Sequence, residues 1–246
     1  GGLMQPSGVN GRWSMIRSLY IDNKTRNPKA RGRHEFINSV LYNWAEHGYI
    51  MGDTKNGVSE CNLIGNYFIY GPSSNSNTHI TGTTEMFHVY AEDNWVDSNV
   101  NGTLDGSLLT DFKTATVMST PFDYPGVAEK LSAQDALNHV IEKVGASLVR
   151  DAVDEMLIDQ VRSYGTEGQI INTEDDNGIP GNVGAVENGT PPTDSDRDGM
   201  PDEWETAHGL NPSDPSDGST TTLSSVGYTN VEMYINELVK KGDVPN

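Results

Sequence analysis

The sequence predicts an all-β solenoid, a parallel β-helix in which short strands stack coil upon coil. The chain of 246 residues holds 26 glycines and many asparagines, so turns follow one another densely. Short apolar segments recur, each with an asparagine near its end, at Asn23, Asn43, Asn66 and Asn94. The separations of 20, 23 and 28 residues are plausible coil lengths, and stacked amides can hydrogen-bond from coil to coil. An ordinary β-sandwich with asparagines in its turns is the alternative.

Four apolar segments predict the strands of these coils. In residues 13–22, apolar and polar side chains mostly alternate, and Arg17 breaks the alternation. The other three segments cover residues 36–43, 61–70 and 87–95. The polar, turn-rich stretches between them predict surface loops.

From residue 121 the pattern changes from strand to helix. Ser132 to Asp135 resembles a capping box, and apolar residues follow at helical spacing until Gly145. A second helix is predicted over residues 149–161. These changes predict four regions, namely β-helix coils and groove loops at 1–125, helices covering the β-helix end at 126–165, a linker at 166–193, and a calcium-binding segment at 194–246.

A basic stretch, residues 24–33, interrupts an otherwise acidic chain. It carries five of the sixteen Lys and Arg residues, while the formal net charge is -19. This patch indicates an anionic partner, although a solvated loop that only aids solubility is the plainer interpretation. Pro28 fixes its own φ and favours an extended Asn27, so the cations project from a bend of defined shape. A pI near 4.5 speaks against nucleic acid, and no apolar run approaches the length of a membrane span.

The six residues Arg26-Asn-Pro-Lys-Ala-Arg31 resemble the Arg-x-Pro-x-x-Arg signature of the pectate lyases of polysaccharide lyase family 1. The flanking segments resemble consecutive coils of that family, and the resemblance covers roughly residues 1–165. It implies part of a right-handed parallel β-helix and a carbon-oxygen lyase that cleaves polygalacturonate by calcium-dependent β-elimination. By position in the motif, Arg26 is the expected base and Arg31 a substrate-carboxylate binder, with Lys24 and Arg12 as candidate substrate-binding helpers. In the loop after the third segment, His79 and Thr81 could contact substrate, although loop histidines are usually solvated.

Two features depart from what the resemblance implies. A free guanidinium stays protonated far above neutral pH, so an arginine base needs neighbouring cations or calcium to disfavour its charged form. Arg26 as a fixed cation that only binds substrate is therefore a competing role. The catalytic calcium ligands of the family lie upstream of the arginine motif, where this chain has only one acid, Asp22. We therefore expect the C-terminal portion of a lyase, with an upstream polypeptide half as a partner that carries those ligands, and activity of this chain alone is open.

A second function, from a different class, also fits these residues. A noncatalytic, calcium-stabilised module could hold an acidic polysaccharide on the basic stretch. A polygalacturonase is disfavoured, because hydrolysis needs clustered carboxylates on the coils and no such cluster accompanies the arginine motif.

A calcium-binding loop is predicted near the C-terminus. Residues 194–205 fit the twelve-residue pattern Asp-x-Asp-x-Asp-Gly-x5-Glu in full. The expected Ca²⁺ ligands are Asp194, Asp196, Asp198, the Met200 carbonyl, Asp202 through a water, and Glu205. The alternative is a plain acidic loop, in which the carboxylates would repel one another. The segment resembles thrombospondin type 3 and dockerin-like repeats that follow bacterial secreted enzymes, so the calcium is expected to be structural.

The compartment is inferred from this calcium loop. Sites of this kind need submillimolar or millimolar calcium, which indicates a location outside the cytoplasm. Together with the resemblance to repeats that follow bacterial secreted enzymes, this implies a secreted, periplasmic or cell-surface bacterial protein. The first residues show no signal-peptide pattern and no initiator Met, so a trimmed segment is expected and export cannot be judged from this end. The single cysteine, Cys61, rules out an internal disulfide and is expected to be buried.

Overall fold

A computed structural model describes residues 1–7, 10–52, 57–178, 184 and 189–242. The chain divides into two compact units, Gly1–Ala185 and Val186–Asn246. The division falls inside the stretch predicted to be a linker, and the four-region organisation stays a prediction. No helix in the described part of the chain has the length and apolar character needed to cross a bilayer.

The described residues of the first unit form short strands. In chain order they are β1 (Leu3–Met4), β2 (Arg12–Ile16), β3 (Leu19–Ile21), β4 (Lys29–Ala30), β5 (Arg33–Ile37), β6 (Val40–Tyr42), β7 (Tyr49–Met51), β8 (Ser59–Ile64), β9 (Tyr67–Ile69), β10 (Ile80–Thr81), β11 (Phe87–Glu92), β12 (Trp95–Asp97), β13 (Ser107–Leu108) and β14 (Thr116–Val117).

These strands lie in three sheets and give a mostly-β fold of parallel strands. The strand orders are β1-β4-β7-β10, β14-β11-β8-β5-β2 and β13-β12-β9-β6-β3. From β1 to β12, successive strands enter different sheets and every third strand returns to the same sheet, where it pairs in parallel. β13 pairs with β12 antiparallel and ends the pattern.

A sharp turn joins the second sheet to the third in each coil. Arg17, Asn38, Gly65 and Asp93 occupy it with positive φ values of 50°, 53°, 62° and 50°. Left-handed backbone reverses the strand direction within one residue and is uncommon outside glycine. The single strand predicted over residues 13–22 is therefore two strands, β2 and β3, separated at Arg17.

The buried asparagines form two short ladders instead of the single one predicted. In the first, the Asn66 amide oxygen accepts from the Ser39 backbone N–H at 2.9 Å, and the Asn66 Nδ2 donates to Asn94 Oδ1 at 2.8 Å. In the second, Asn43 Nδ2 donates to Asp22 Oδ1 at 2.6 Å. Asn23 lies in neither, and its Oδ1 accepts from the N-terminal amine at 2.9 Å. The prediction was wrong because stacked amides must occupy the same place in each coil, and spacing along the chain does not reveal that place.

Two helices follow the strands, α1 (Ala133–Lys143) and α2 (Ala152–Arg162), with a short 3-10 helix at Glu174–Asn177. Ser132 caps α1 by accepting from the Asp135 backbone N–H, as the sequence predicts. Apolar residues of α1 and Val161 of α2 pack with Val40, Tyr42 and Tyr67 on one face of the third sheet. The helices therefore lie against the side of the strand stack and not over its end.

A separate apolar cluster fills the space enclosed by the three sheets. Phe36, Leu41, Leu63 and Phe68 are fully buried there. Cys61 is also in this cluster and is a free, buried cysteine, as predicted, and burial raises the pKa of its thiol to about 12. The strands are held by apolar packing together with the amide ladders.

The second unit contains two helices, α3 (Asp202–His208) and α4 (Asn230–Gly242), and a 3-10 segment at Asp217–Ser219. The Trp204 ring of α3 packs against Tyr234 of α4 with centroids 5.2 Å apart. Asn230 is fully buried at the start of α4, and its Nδ2 donates to the Asp217 carbonyl at 2.9 Å. These contacts join the 3-10 segment and both helices into one small unit.

Candidate functional site

Arg26 lies in the connection between β3 and β4 at the meeting point of two grooves. Its side chain is exposed and its backbone has a φ of 63°. The first groove, of about 320 Å³, is also lined by Lys24 and Asn172. The second, of about 430 Å³, is also lined by Lys29 and Thr81. A chain of sugars that entered either groove would therefore meet the Arg26 guanidinium.

Neighbouring cations of the basic stretch are engaged in contacts with the protein. Lys24 Nζ lies 3.4 Å from Glu46 Oε1, and Arg33 Nε lies 3.0 Å from Glu60 Oε2. By contrast, the Arg26 side chain makes no ion pair or hydrogen bond with any residue that the structure describes. Among these three cations, Arg26 is the one presented to solvent without a carboxylate partner.

The structure brings some of the predicted site residues together and separates others. Lys24 and Arg26 share the first groove. Arg31 does not line either groove and donates from Nη2 to the Pro6 carbonyl at 3.2 Å. Arg12, on β2, stacks over the Tyr124 ring at 5.6 Å and also lies outside both grooves. The roles of these residues stay predictions.

The second groove contains residues that sequence reasoning did not assign. Glu46, His47 and Ile50 line it beside Arg26, and they come from the coil after the arginine motif. Thr81 lies in this groove, whereas His79 Nδ1 is hydrogen-bonded to the Tyr70 hydroxyl at 2.9 Å. Glu46 and His47 could have been identified as groove residues from the parallel pairing of β4 with β7. This pairing places the loop before β7 beside the loop before β4.

Asp22, the one acid upstream of the arginine motif, has a structural environment. It is 2% exposed and accepts a hydrogen bond from Asn43. Burial raises the pKa of Asp22 to about 6. Residues 168–171 close over it, and the Ile171 backbone N–H donates to its carbonyl oxygen at 3.2 Å. The Gln169 backbone N–H donates to the Asp22 carboxyl, so the carboxyl and the backbone carbonyl of Asp22 together hold the chain after α2 against the strands.

Acidic groups that could hold a metal ion are found in the second unit. Among the described residues, the sets of three or more acidic, His or Cys side chains with ligand atoms within 4.8 Å are Asp194, Asp196 and Asp198, and Asp198, Glu205 and Asp217. Both sets belong to the second unit. The described part of the first unit therefore offers no such set for a catalytic calcium.

The predicted loop is bent as a calcium loop requires. Gly199 has a φ of 96°, a conformation that favours glycine. Asp194 accepts from the backbone N–H groups of Arg197 at 2.7 Å and Gly199 at 3.1 Å, which closes the turn. Asp202 instead accepts from Ser195, from its backbone N–H at 2.7 Å and its hydroxyl at 2.6 Å. Both carboxylate oxygens of Asp202 thus accept hydrogen bonds from Ser195.

Glu205 gives the clearest sign that a cation fits here. It is fully buried, and neither carboxylate oxygen has a hydrogen-bond partner among the described residues. Burial, followed by the charges of Asp196 and Asp198, raises the pKa of Glu205 to about 7. Buried polar atoms are normally paired, so carboxylate oxygens without partners facing other carboxylates fit a hard cation.

Asp217 is the acidic residue of this cluster that the sequence did not predict, because it lies outside the twelve-residue pattern. Gly218, which follows it, packs directly on the Asp198 carboxylate, where a Cβ would not fit. The Asp-Gly pair is therefore the one sequence signal that could have found it, and it is a weak signal by itself.

The first unit thus combines sheets of parallel strands with an exposed arginine that lines two grooves. No family model matches the chain. Curated proteins named probable pectate lyase C do match it. The protein of that name from Aspergillus terreus is 47% identical over 244 residues, which cover 97% of this chain and 56% of the relative. The protein of that name from Emericella nidulans is 47% identical over 247 residues, covering 98% and 55%, and that from Neosartorya fischeri is 45% identical over 244 residues, covering 97% and 56%.

Over nearly its whole length the chain is therefore similar to proteins that carry the name of a pectate lyase. The chain spans about half the length of the curated relatives that it matches. These relatives are fungal, so the expectation of a bacterial protein was wrong. That expectation came from the resemblance of the C-terminal segment to repeats that follow bacterial secreted enzymes, and a short calcium loop does not identify the kingdom.

Proposed function

We propose that the chain is the base-bearing part of a pectate lyase that cleaves polygalacturonate by β-elimination. The observation that carries this proposal is the exposed Arg26 guanidinium, which has no carboxylate partner among the described residues and lies where two grooves meet. Similarity to probable pectate lyases over 97% of the chain supports the substrate class. The three sheets support the finer interpretation of the first unit as part of a right-handed parallel β-helix.

In the proposed reaction, Arg26 takes the proton from C5 of a galacturonate unit, next to its carboxylate. The electron pair of that C–H bond forms the C4–C5 double bond, and the bond from C4 to the glycosidic oxygen breaks. The leaving oxygen takes up a proton, and the new chain end is an unsaturated uronide. We propose that Lys24 and Lys29, one in each groove with Arg26, bind carboxylates of neighbouring sugars, with Lys24 exchanging its ion pair with Glu46 for the substrate.

Bound calcium would supply the Lewis acid that draws charge onto the substrate carboxylate. The described residues of the first unit offer no set of three acidic ligands for it. We propose that the ligands belong to the part of the relatives that this chain does not span.

The first coil is a suitable place for that part to pack. β1, β2 and β3 are each the outermost strand of their sheet, with an unpaired edge. Met15 and Leu19 are partly exposed, whereas their register partners Phe36 and Val40 in the next coil are fully buried. Further coils packed on these edges would bury the apolar side chains of the first coil. In the same way, the second coil covers the apolar side chains of the third.

For the second unit we propose a calcium-binding segment of structural function, similar to thrombospondin type 3 and dockerin-like repeats. Asp194, Asp196, Asp198, Glu205 and the Met200 carbonyl are its proposed loop ligands. Unpartnered buried oxygens on Asp196, Asp198 and Glu205 support this assignment.

A noncatalytic module that holds acidic polysaccharide is the second candidate. The absence of a metal-compatible acidic set from the described first unit favours it, because such a module needs cations on its surface but no catalytic calcium.

The two functions differ in their product. We expect polygalacturonate to yield a chain end that absorbs in the ultraviolet when the chain is supplied with the N-terminal part of a relative and calcium, and chelator should abolish the signal. Binding of polygalacturonate without absorbing product, in a sample with intact folding, would contradict the lyase and identify the binding module. The same assay on the chain alone shows whether the residues present are sufficient.

A further inference from the structure

Asp217 is held in a defined orientation beside the calcium loop. Its Oδ2 accepts from the Asn211 backbone N–H at 2.9 Å. Its Oδ1 is buried and has no hydrogen-bond partner among the described residues. One carboxylate oxygen is thus used to fix the side chain, and Asp217 offers a carboxylate oxygen within 4.8 Å of oxygens of Asp198 and Glu205.

The three facing carboxylates have no positive partner in the described part of the chain. No Lys, Arg or His described by the structure forms an ion pair with Asp198, Glu205 or Asp217. Glu205 is fully buried, and both of its oxygens are unpartnered. Like charges at this separation are unfavourable unless a cation neutralises them. A set built only of oxygen atoms suits calcium, which takes six to eight oxygen ligands in flexible geometry.

Asp202, which the twelve-residue pattern predicts to bind calcium through a water, makes other contacts in the structure. Both oxygens of Asp202 accept hydrogen bonds from Ser195. By contrast, Oδ1 of Asp217 is buried and has no hydrogen-bond partner among the described residues.

We propose that Asp217 is a calcium ligand supplied from outside the twelve-residue loop, so that one bound cation joins the loop to the 3-10 segment Asp217–Ser219. This inference rests on the proposed calcium-binding function of the second unit. It extends the predicted ligand set by a residue that no sequence pattern for the loop contains.

The contacts of Asp217 give the bound ion an effect beyond the loop. The Asp217 carbonyl accepts from Asn230 Nδ2 at 2.9 Å, and Asn230 begins α4. Gly218 packs on Asp198. A cation held by Asp198, Glu205 and Asp217 would therefore fix the loop, the 3-10 segment and the start of α4 together.

Calcium titration of the full chain by calorimetry tests this ligand. We expect Asp217→Asn to weaken calcium binding about tenfold or more, because calcium affinity follows the number of charged ligands. Glu203→Gln is the matched control, since it removes one exposed negative charge from the same loop. Its affinity should stay within about twofold of the unaltered chain, the change expected of a screened surface charge.

A second variant separates ligation from a structural role of Asp217. Asn keeps the shape of the side chain and its bond to Asn211, whereas Asp217→Glu keeps the charge and lengthens the side chain. A ligand role predicts that Glu binds calcium more tightly than Asn, and a purely structural role predicts the reverse. Terbium luminescence lifetimes in water and deuterium oxide should show about one additional metal-bound water in Asp217→Ala, since Ala removes the oxygen ligand, whereas the Asn carbonyl can still bind the ion.

The outcomes are distinguishable. Failure of the unaltered chain to bind calcium would overturn both the calcium function and the role of Asp217. Normal calcium binding with equal affinities for Asp217→Asn and Glu203→Gln, or equal water counts for Asp217→Ala and the unaltered chain, would overturn the role of Asp217 alone. If Asp217→Asn does not fold, Asp217→Ala replaces it in the titration, and an affinity within about twofold of that of Glu203→Gln would contradict the ligand role.

Discussion

Different forces stabilise the interior of each of the two units of this protein. In the first, apolar side chains such as Phe36 and Phe68 fill the space between three sheets, and buried amides such as Asn66 bond to their neighbours. In the second, two short helices and a 3-10 segment surround carboxylates that have unpartnered oxygens. The first unit can therefore be stable without an ion, whereas the second needs a cation to offset its internal repulsion. Calcium should therefore stabilise the second unit and leave the stability of the first unit unchanged.

Removal of calcium should produce the largest difference between the units. With a chelator in excess, we expect the second unit to lose its ordered structure, since binding to the folded state at 100 times the dissociation constant contributes about 2.7 kcal/mol. Limited proteolysis should then cut within residues 194–242 and leave the first unit intact. Equal protection of both units with and without chelator would break the comparison.

The reverse experiment disturbs only the first unit. Phe68→Ala removes a fully buried ring from the strand core and should destabilise that unit by about 3 to 5 kcal/mol. Val117→Ala is the control, because Val117 is 59% exposed. In chemical denaturation, Phe68→Ala should lower the midpoint of the unfolding transition of the first unit, and Val117→Ala should leave that midpoint unchanged. Calcium affinity should be the same for both variants. A lower calcium affinity in Phe68→Ala would show that the two units are coupled.

A smaller effect should appear in the pH dependence of the first unit. Burial raises the pKa of Asp22 from 3.8 to about 6, so the folded state binds this proton more tightly than the unfolded state. The stability that depends on the protonated carboxyl is present below pH 3.8 and falls as the pH rises through about 6. Denaturation at several pH values should show a shallower decline in this window for Asp22→Asn than for the exposed control Asp123→Asn. The same decline in both variants would remove Asp22 as its cause.

The general architecture of the first unit could be predicted from its sequence. Recurring apolar segments and turn asparagines indicate stacked coils, and Ser132 marks the start of α1. The positions of the turns could not, because Arg17 and Asp93 adopt left-handed backbone that their residue types do not require. The ladder was misassigned for the same reason, since Asn43 and Asn66 lie at different turns of the coil.

Motifs identified part of each candidate site and missed the contacts that complete it. The arginine signature identifies Arg26, yet nothing local shows that Lys24 is paired with Glu46 while Arg26 is not. The calcium pattern identifies residues 194–205, but the pairing of Asp202 with Ser195 and the approach of Asp217 depend on tertiary packing. Residues that meet through the fold carry no fixed spacing that a sequence pattern could detect.

The role of Arg26 is tested most directly by the rate of ultraviolet-absorbing uronide release in Arg26→Ala. The assay uses the chain in the form that makes product, alone or with the N-terminal part of a relative. Arg162→Ala, which changes an exposed arginine on α2, is the control. We predict that Arg26→Ala lowers the rate about 100-fold or more, the typical contribution of a general base, with polygalacturonate still bound. A rate within about twofold of the Arg162→Ala control would contradict the assignment of Arg26 as the base.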